Sequence, residues 1–194
     1  MLSVIIPTHE SERVLVRTLA CLVPGATAGL IREVILADGG STDETAEVGD
    51  VAGCRFLPLP GPVGPRLDFA VSSARGDWLL FVPAGSVLEP GWVAELQQFI
   101  DRASAGLAPT GIAAAFSDAP PPQGEGSMLR AVLAVWRARR KSLAPGRGLL
   151  ISKASLRELG GFGNQNDPEA DVLRRIGKRR LTMLRTGIVT PSDT

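Results

Sequence analysis

The chain has 194 residues, of which 44% are hydrophobic and 21% are charged. That composition excludes a globally disordered chain, and the length predicts one domain that buries a substantial core. No apolar run reaches the roughly 18–20 residues that a membrane-spanning helix needs. Met1 leads directly into an apolar segment without a basic stretch or a cleavage site, so we expect a cytoplasmic protein.

The charge is distributed unevenly, although the net charge is only +1. Residues 1–127 hold 7 basic and 15 acidic side chains, whereas residues 128–194 hold 14 basic and 5 acidic ones. This asymmetry predicts an anionic partner for the C-terminal third, such as a phosphate, an acidic lipid or a nucleic acid. A basic face that is merely solvated is the alternative interpretation.

Strands and helices alternate along the first half of the chain. Short apolar runs predict strands at Leu2–Ile6, Ile31–Asp38, Cys54–Leu59, Trp78–Val82 and Gly111–Phe116. Four helices are predicted between them: one that stops before Pro24, one from about Asp43 to Val51, one from Leu67 to Ala74 after a loop at residues 60–65, and one that begins at Glu89–Pro90. This order produces parallel βαβ units, so we predict an α/β fold with a doubly wound N-terminal half.

The second half begins after a predicted loop or hinge at residues 118–126, which contains three consecutive prolines. A predicted helix follows, with four apolar residues on one face (Leu129, Val132, Leu133 and Trp136) and a basic run at residues 137–141. Such a helix either packs its apolar stripe on the domain or lies on an acidic membrane surface. The remaining predicted elements are a strand at Leu149–Ile151, a helix at Ser155–Leu159, a helix from Asp167–Pro168 to Gly177 and a strand at Leu181–Val189.

The clearest local pattern is the corner at the end of the second predicted strand. The apolar run ends in Asp38, and Gly39 and Gly40 then allow a tight turn. Ser41 with Glu44 three residues later predicts a capping box and hence a helix start. A carboxylate at the carboxyl end of a parallel strand is typical of ligand sites in open α/β sheets. An ordinary strand–turn–helix corner is the alternative.

Several function classes lack their motifs. The loop Pro7–Glu10 contains no glycine, which argues against a dinucleotide fingerprint, and no Walker loop or Gly-x-Ser-x-Gly elbow is present. Cys21 and Cys54 are isolated in apolar surroundings and, with His9 as the single histidine, form a poor zinc set. We interpret His9 as a loop residue rather than a catalytic base. The basic tail has no interleaved aromatic residues, so we expect no nucleic-acid partner.

Three segments, taken in order, resemble family 2 glycosyltransferases of the GT-A fold: Val4–Glu10 (VIIPTHE), Asp38–Asp43 (DGGSTD) and Ala74–Phe81 (ARGDWLLF). Residues 147–153 and 159–162 fit the acceptor half of those proteins, and residues 171–180 are similar to small bacterial members. The resemblance implies a Rossmann-like, mostly parallel central sheet with helices on both faces. It also implies a single domain over residues 1–194, with a nucleotide-sugar half (1–117) and an acceptor-side half (127–194).

The resemblance further implies a nucleotide-sugar donor at the carboxyl ends of the first strands. Pro7, Thr8 and Glu10 would line the base and ribose, and Asp38 beside Gly39 would accept a hydrogen bond from the base, usually uracil. A carboxylate that faces a ring N–H provides both orientation and base selection. Arg66 corresponds to a position at which the family makes polar contacts to the nucleotide.

The sequence departs from the family at the metal motif. Family members hold Mg²⁺ or Mn²⁺ with acidic residues directly after the fourth predicted strand, where this chain has Pro83 and Gly85. Hard divalent cations need oxygen ligands, which these side chains do not supply. The charge of the diphosphate still has to be neutralised, and our hypothesis is that Arg147 and the basic C-terminal third do this without a metal.

The family activates the acceptor hydroxyl with an acidic residue at the start of a late helix. Glu169 matches that base best, and Asp171 is the second choice. The alternative is that the acidic residues of this segment merely cap a helix and favour its dipole.

Together with the resemblance, these observations predict an inverting glycosyltransferase. It would transfer a sugar from a nucleotide-sugar donor to an envelope glycan or lipid-linked acceptor. The resemblance implies that the donor is UDP-linked. Peripheral contact with an anionic membrane through the basic third is part of this expectation. A catalytically degenerate GT-A domain that binds nucleotide or a protein partner is the main alternative, and another nucleotide-binding α/β enzyme such as a nucleotidyltransferase is the third.

Overall fold

The computed structural model describes residues 1–106, 112–118, 146–164 and 167–190. Within these ranges lie eight strands: β1 Leu2–Thr8, β2 Ile31–Asp38, β3 Arg55–Pro58, β4 Trp78–Phe81, β5 Val87–Leu88, β6 Ala113–Asp118, β7 Leu149–Ser152 and β8 Leu181–Val189. The same ranges contain six helices: α1 Glu12–Thr27, α2 Thr45–Val51, α3 Val63–Ser73, α4 Trp92–Ser104, α5 Lys153–Glu158 and α6 Pro168–Ile176.

All eight strands belong to one sheet in the order β3-β2-β1-β4-β7-β6-β8-β5. The pairs β1–β2, β1–β4, β2–β3 and β6–β8 are parallel, whereas β4–β7, β6–β7 and β5–β8 are antiparallel. The sheet is therefore mixed but mostly parallel, as predicted, and both halves of the chain contribute strands to it.

Helices cover both faces of the sheet, because successive residues of a buried strand point to opposite sides. Val4 and Ile6 of β1 belong to the core cluster that includes residues of α1 and α4. Ile5 belongs to the second cluster, which includes residues of α3, α5 and α6. The continuous apolar runs of the central strands thus fill two cores, which confirms the predicted arrangement.

The parallel register of β1 and β2 determines where the candidate site lies. Thr8 is paired with Asp38 at the carboxyl end of the two strands. The loops that follow β1 and β2 consequently leave the sheet side by side. Strand β4 lies on the other side of β1 and runs in the same direction, so its following loop emerges at the same edge.

Several helix boundaries differ from the sequence prediction. Helix α4 begins at Trp92 and not at Glu89–Pro90. Helix α1 continues through Pro24 to Thr27, and helix α3 already begins at Val63 within the predicted loop, with Pro65 in its first turn, where a missing N–H costs little. The predicted capping box is wrong. Helix α2 begins at Thr45 without a side-chain cap, because the hydroxyl of Ser41 is bonded to Asp38 instead.

The predicted proline-containing segment lies outside the described residues, except for Asp118 at the end of β6. The predicted amphipathic helix with Leu129 and Trp136 also lies outside them. Among the residues that the structure describes, no helix combines the length and apolar character needed to cross a membrane.

Candidate functional site

Asp38 is the most heavily bonded carboxylate at the carboxyl edge of the sheet, and only 1% of it is exposed. Its Oδ1 accepts hydrogen bonds from the hydroxyls of Thr8 (2.9 Å) and Ser41 (2.6 Å), and its Oδ2 accepts from the backbone N–H groups of Gly40 and Ser41 (2.8 Å each). A carboxylate offers about four acceptor positions. All of them are therefore in use within the described structure.

The pKa of Asp38 lies below its ordinary value. Burial acts to raise it, but the hydrogen bonds from Ser41, Thr8 and Gly40 outweigh burial and favour the charged form. Asp38 is accordingly an ionised residue that fixes the conformation of the loop after β2.

The loop after β1 is joined to the loop after β2. The N–H of Glu10 donates to Ser41 Oγ (2.9 Å), and Glu10 Oε1 accepts from the N–H of Thr42 (2.7 Å). Glu10 has a φ of 48°, and it is the one non-glycine residue of the described part of the chain with a positive φ. Such backbone strain is concentrated at functional sites. Glu10 thus lies at the same edge of the sheet as Asp38, beside the carboxyl end of β1.

Arg66 connects helix α3 to the same edge. It is 6% exposed, and its Nη1 donates to the carbonyl oxygen of Thr8 (2.8 Å). The guanidinium lies so close to Gly39 that a Cβ there would collide with Nη1. Burial lowers the pKa of Arg66, and the nearby Asp38 carboxylate acts in the opposite direction. The predicted residues Thr8, Asp38, Gly39 and Arg66 therefore form one cluster.

His9 lies in the loop after β1 and is exposed. Its backbone N–H donates to Ser11 Oγ (3.1 Å). Its position as a loop residue agrees with the prediction.

Glu169 lies in the first turn of α6, which begins as predicted with Asp167 as N-cap and Pro168 as the first residue. Its Oε2 accepts a hydrogen bond from the N–H of Gly146 (3.0 Å), just before β7. Its side chain also lines a small cavity with Pro7 of β1 and with Pro83, which follows β4. Through Pro7, the cavity borders the strand that leads to Thr8.

Burial raises the pKa of Glu169 to about 7, and the negative charge of Asp167 adds to the effect. The hydrogen bond from Gly146 opposes both. A carboxylate with a pKa near neutrality is suited to act as a general base, because it is unprotonated at working pH yet still accepts a proton.

Asp171, the second predicted base, is engaged differently. Its Oδ2 lies 2.9 Å from Nε of Arg175 in an ion pair within α6, and its Oδ1 lies 3.6 Å from Nη2 of Arg174. Arg175 in turn donates to the carbonyl oxygens of Leu159 and Gly161. These contacts give Asp171 a role in connecting α6 to the segment after α5.

Arg147 is 6% exposed and immediately follows Gly146, the residue whose N–H holds Glu169. It precedes β7, the strand that pairs with β4. The backbone therefore brings Arg147 to the part of the fold that also contains the candidate base.

The sequence of the chain matches a known protein family. A family model described as "Glycosyl transferase family 2" matches residues 3–158, most of the chain. The chain belongs to glycosyl transferase family 2. A comparison with curated proteins finds no match.

Solved structures support the fold of this family 2 chain. S. aureus TarS 1–349 in complex with UDP is 19% identical over 98% of this chain, with a TM-score of 0.69. Glucosyl-3-phosphoglycerate synthase from Mycobacterium tuberculosis in complex with Mn²⁺, UDP and phosphoglyceric acid is 18% identical over 100% of this chain and 72% of its own, with a TM-score of 0.67. The chain spans only 57% to 60% of the TarS 1–349 structures. The fold is that of the GT-A class.

The residues of this chain at the family's metal-binding position are not suited to hold a metal ion. Pro83 and Gly85 occupy the turn after β4, and the N–H of Ser86 closes that turn on the carbonyl oxygen of Pro83 (3.2 Å). Neither side chain has an oxygen atom. Within the described residues, no group of three His, Cys, Asp or Glu side chains is arranged to hold a metal ion.

Three residues of this family 2 site were missed in the sequence. Ser41 was assigned to a helix cap, yet its hydroxyl and N–H both bind Asp38. Asp68 of α3 accepts the backbone N–H groups of Phe162 and Gly163. Phe162 lines the cavity of Glu169. The two hydrogen bonds of Asp68 join residues more than 90 positions apart, so no local pattern indicates them.

Proposed function

We propose that the chain transfers a sugar from a UDP-linked donor to an acceptor hydroxyl with inversion at the anomeric carbon, and that Glu169 is the general base. The observation that carries the proposal is the position and pKa of Glu169. It lines one cavity with Pro7 and Pro83, which lie at the carboxyl ends of β1 and β4, and burial raises its pKa to about 7. Family membership supports the reaction class, and TarS and the mycobacterial synthase, both of the same fold, have been solved with UDP.

The donor half of the proposal assigns the nucleotide to the cluster at the ends of β1 and β2. Pro7, Thr8 and Glu10 would line the base and ribose, and Arg66 behind Gly39 would add positive charge. Asp38 already accepts four internal hydrogen bonds. A contact from the base N–H would therefore have to replace one of them. The hydroxyl of the half-buried Ser41 has more room to rotate away than that of Thr8, which is 2% exposed.

The chemical step follows from the carboxylate of Glu169. It accepts the proton of the acceptor hydroxyl while the oxygen attacks the anomeric carbon from the side opposite to the diphosphate. The bond between that carbon and the diphosphate oxygen breaks, and UDP leaves with the electron pair. Arg147 would stabilise the charge that develops on the diphosphate, since a fixed guanidinium in a buried position is effective at this task.

The acceptor that we propose is an envelope glycan or a lipid-linked glycan at the cytoplasmic face of a membrane. The excess of basic residues in the C-terminal third supports an anionic surface as neighbour. Lys178, Arg179 and Arg180 form an exposed basic turn between α6 and β8 in the described part of that third. Binding to vesicles with and without anionic lipid tests this part of the proposal separately.

The main experiment compares the wild-type chain with Glu169→Gln across a panel of UDP-sugars and glycan or lipid-linked acceptors. We expect the substitution to reduce kcat by about 10²–10⁴-fold, the usual contribution of a positioned base, while the Kd for UDP changes little. The anomeric configuration of the product, determined by NMR, tests inversion. Unchanged turnover in the variant would refute the assignment of the base.

One observation favours a second candidate function, a GT-A domain that binds nucleotide or a protein partner without transfer. Pro83 and Gly85 lack the oxygen ligands with which the family holds its metal. Calorimetry with UDP and UDP-sugars, combined with a sensitive assay for released UDP, separates the two functions. Binding without any turnover supports the second.

A further inference from the structure

Among the residues that the structure describes, Glu169 is the one ionisable side chain that lines its cavity. The other described lining residues are apolar, and they come from β1, from β4 and the segment after it, from α3 and from the segment after α5: Pro7, Leu67, Phe81, Val82, Pro83 and Phe162. The cavity has a volume of about 20 Å³, which is room for roughly one water molecule. This apolar wall contributes to the burial of the half-buried Glu169.

Phe162 is a residue of this wall that has contacts from distant parts of the chain. It is fully buried, and its ring meets that of Phe81 edge to face, with the centroids 4.8 Å apart. It stands between Gly161 and Gly163, which both have positive φ values (70° and 66°). A glycine-rich turn does not hold an aromatic ring in place by its own backbone preferences.

Asp68 of α3 supplies the missing support. Its Oδ1 accepts the N–H of Phe162 (2.9 Å), and its Oδ2 accepts the N–H of Gly163 (3.2 Å). The carboxylate also approaches Gly161 so closely that a Cβ there would lie 2.6 Å from Oδ1. A charged acceptor with two backbone donors is a strong anchor.

We propose that Asp68 is a positioning residue for the transfer reaction. Asp68 holds Phe162 against Phe81, and Phe162 in this position keeps water away from Glu169. This inference rests on the proposed function, because it takes Glu169 as the base. A second anchor acts on the same turn from α6, where Arg175 donates to the carbonyl oxygen of Gly161 (2.6 Å). The turn is therefore held from both helices that border the cavity.

The charged groups around Glu169 affect its pKa less than its burial does. Asp167, at the start of the same helix, acts in the same direction as burial, but burial is the larger cause of the raised pKa. The N–H of Gly146 opposes both, and Arg147 follows it in the chain. Asp171 and Arg175 are bonded to each other and to the turn. Exposure of the cavity to water is hence the change that would move the pKa of Glu169 furthest.

The experiment uses Asp68→Ala and Phe162→Leu, with Glu95→Ala as the matched control. Glu95 performs the same structural task far from the cavity, because it accepts the N–H groups of Arg185 (2.7 Å) and Thr186 (2.9 Å). We expect all three variants to lose thermal stability. Only the first two should change the pH profile of kcat/KM and the pKa of the Glu169 carboxyl, followed by ¹³C NMR with Glu169→Gln as the assignment reference.

The expected sizes follow from the titration of a single base. With a pKa of about 7, the wild-type chain should lose about thirtyfold in kcat/KM between pH 8 and pH 5.5, whereas a pKa near 5.5 gives a loss of about twofold. Asp68→Ala and Phe162→Leu should move toward the smaller loss, with a lower kcat at pH 8. Glu95→Ala should keep the wild-type profile.

The two ideas fail in different ways. If Glu169→Gln removes transfer but both Asp68→Ala and Phe162→Leu keep the wild-type profile and carboxyl pKa, the positioning role is wrong and the proposed function stands. The same conclusion holds if Glu95→Ala shifts the profile equally, since the effect is then a general loss of stability. If Glu169→Gln leaves transfer unchanged, the proposed base fails and the positioning role fails with it.

Discussion

The backbone N–H of Gly146 donates a 3.0 Å hydrogen bond to Oε2 of Glu169 and so joins the segment before β7 to the first turn of α6. This bond favours the charged carboxylate, whereas burial favours the protonated one and has the larger effect on the pKa. The folded chain therefore binds a proton at Glu169 more tightly than the unfolded chain does. The protonated form of Glu169 is the one that the fold favours, whereas a general base must be in the charged form. The effect on stability and the effect on catalysis can each be measured.

The first prediction is that Glu169→Gln stabilises the fold at neutral and higher pH while it removes transfer. The folded pKa of Glu169 is raised from 4.5 to about 7. Its contribution to stability is therefore greatest below pH 4.5, decreases as the pH rises through 7, and is constant above that. The full shift corresponds to roughly 3 kcal/mol. Urea unfolding at pH 5 and pH 8 should show a variant-minus-wild-type difference that grows with pH.

Glu158→Gln, a substitution of an exposed residue on α5, is the control for the loss of one negative charge. It should show no comparable growth of the difference with pH. A Glu169→Gln variant that is equally or less stable than the wild type at pH 8 would show that the carboxylate is solvated in the folded chain.

The second prediction concerns the contact between Gly39 and Arg66. A methyl group at position 39 would collide with the guanidinium, so Gly39→Ala should displace Arg66 from the carbonyl oxygen of Thr8. We expect a loss of stability together with at least a tenfold weaker binding of UDP, measured by calorimetry. Gly49→Ala is the matched control, because its Cβ would collide with the Leu36 side chain in the core. If both variants bind UDP like the wild type, Arg66 does not contribute to the nucleotide site.

Much of the sheet was predictable because most of its strands contain a short apolar run. The bounds of β2 (Ile31–Asp38) and β8 (Leu181–Val189) are those predicted. The start of α6 was predictable for a local reason, since Asp167 and Pro168 supply the cap and the first residue within two positions. β5, by contrast, has two residues and pairs with β8 through Val87 and Val189, about a hundred positions apart.

The parts of the site that were missed depend on distant partners. The pair Ser41 and Glu44 has the spacing of a capping box, but the Ser41 hydroxyl donates to Asp38 and accepts from the N–H of Glu10, 31 positions away. A charged acceptor is a stronger partner than a backbone group. The assignment of Glu169 as the base rests on the resemblance to family 2 and stays a prediction, whereas the cavity beside it depends on contacts that only the fold creates.

The third prediction is that Asp38→Asn weakens both the fold and nucleotide binding. An amide cannot accept at both atoms, so either the pair of hydroxyls or the pair of N–H groups would lose its acceptor. We expect a loss of about 1–3 kcal/mol at pH 7. Because the folded pKa of Asp38 is lowered, its stabilisation is present above the unfolded pKa near 3.8 and is lost as the pH falls through the folded pKa.

Urea unfolding between pH 2 and pH 7 should show a difference between Asp38→Asn and wild type that shrinks below pH 3.8. Asp101→Asn is the control, since Asp101 makes an exposed hydrogen bond to Gln97 in α4. A difference that is independent of pH would mean that the Asp38 carboxylate is not what stabilises the loop.

The fourth prediction separates Glu169 from Asp171. Asp171 is paired with Arg175, which is bonded to the turn after α5, so Asp171→Asn should lower the Tm and leave kcat within about tenfold of wild type. Glu169→Gln should instead raise the Tm and strongly reduce kcat. Transfer rates and Tm values for both variants, measured at one pH, give a direct comparison. Loss of transfer in Asp171→Asn alone would make Asp171 the base and reverse the assignment.

The last prediction is that transfer continues in the presence of EDTA. Hard divalent cations require oxygen ligands, and the side chains of Pro83 and Gly85 at the family's metal position have none. A buried guanidinium can stabilise the departing diphosphate instead, so Arg147→Ala should reduce kcat by at least tenfold, whether or not Mn²⁺ is added. Strict dependence of the wild-type chain on Mg²⁺ or Mn²⁺ would overturn this prediction, and the metal ligands would then have to be sought among residues other than 83 and 85.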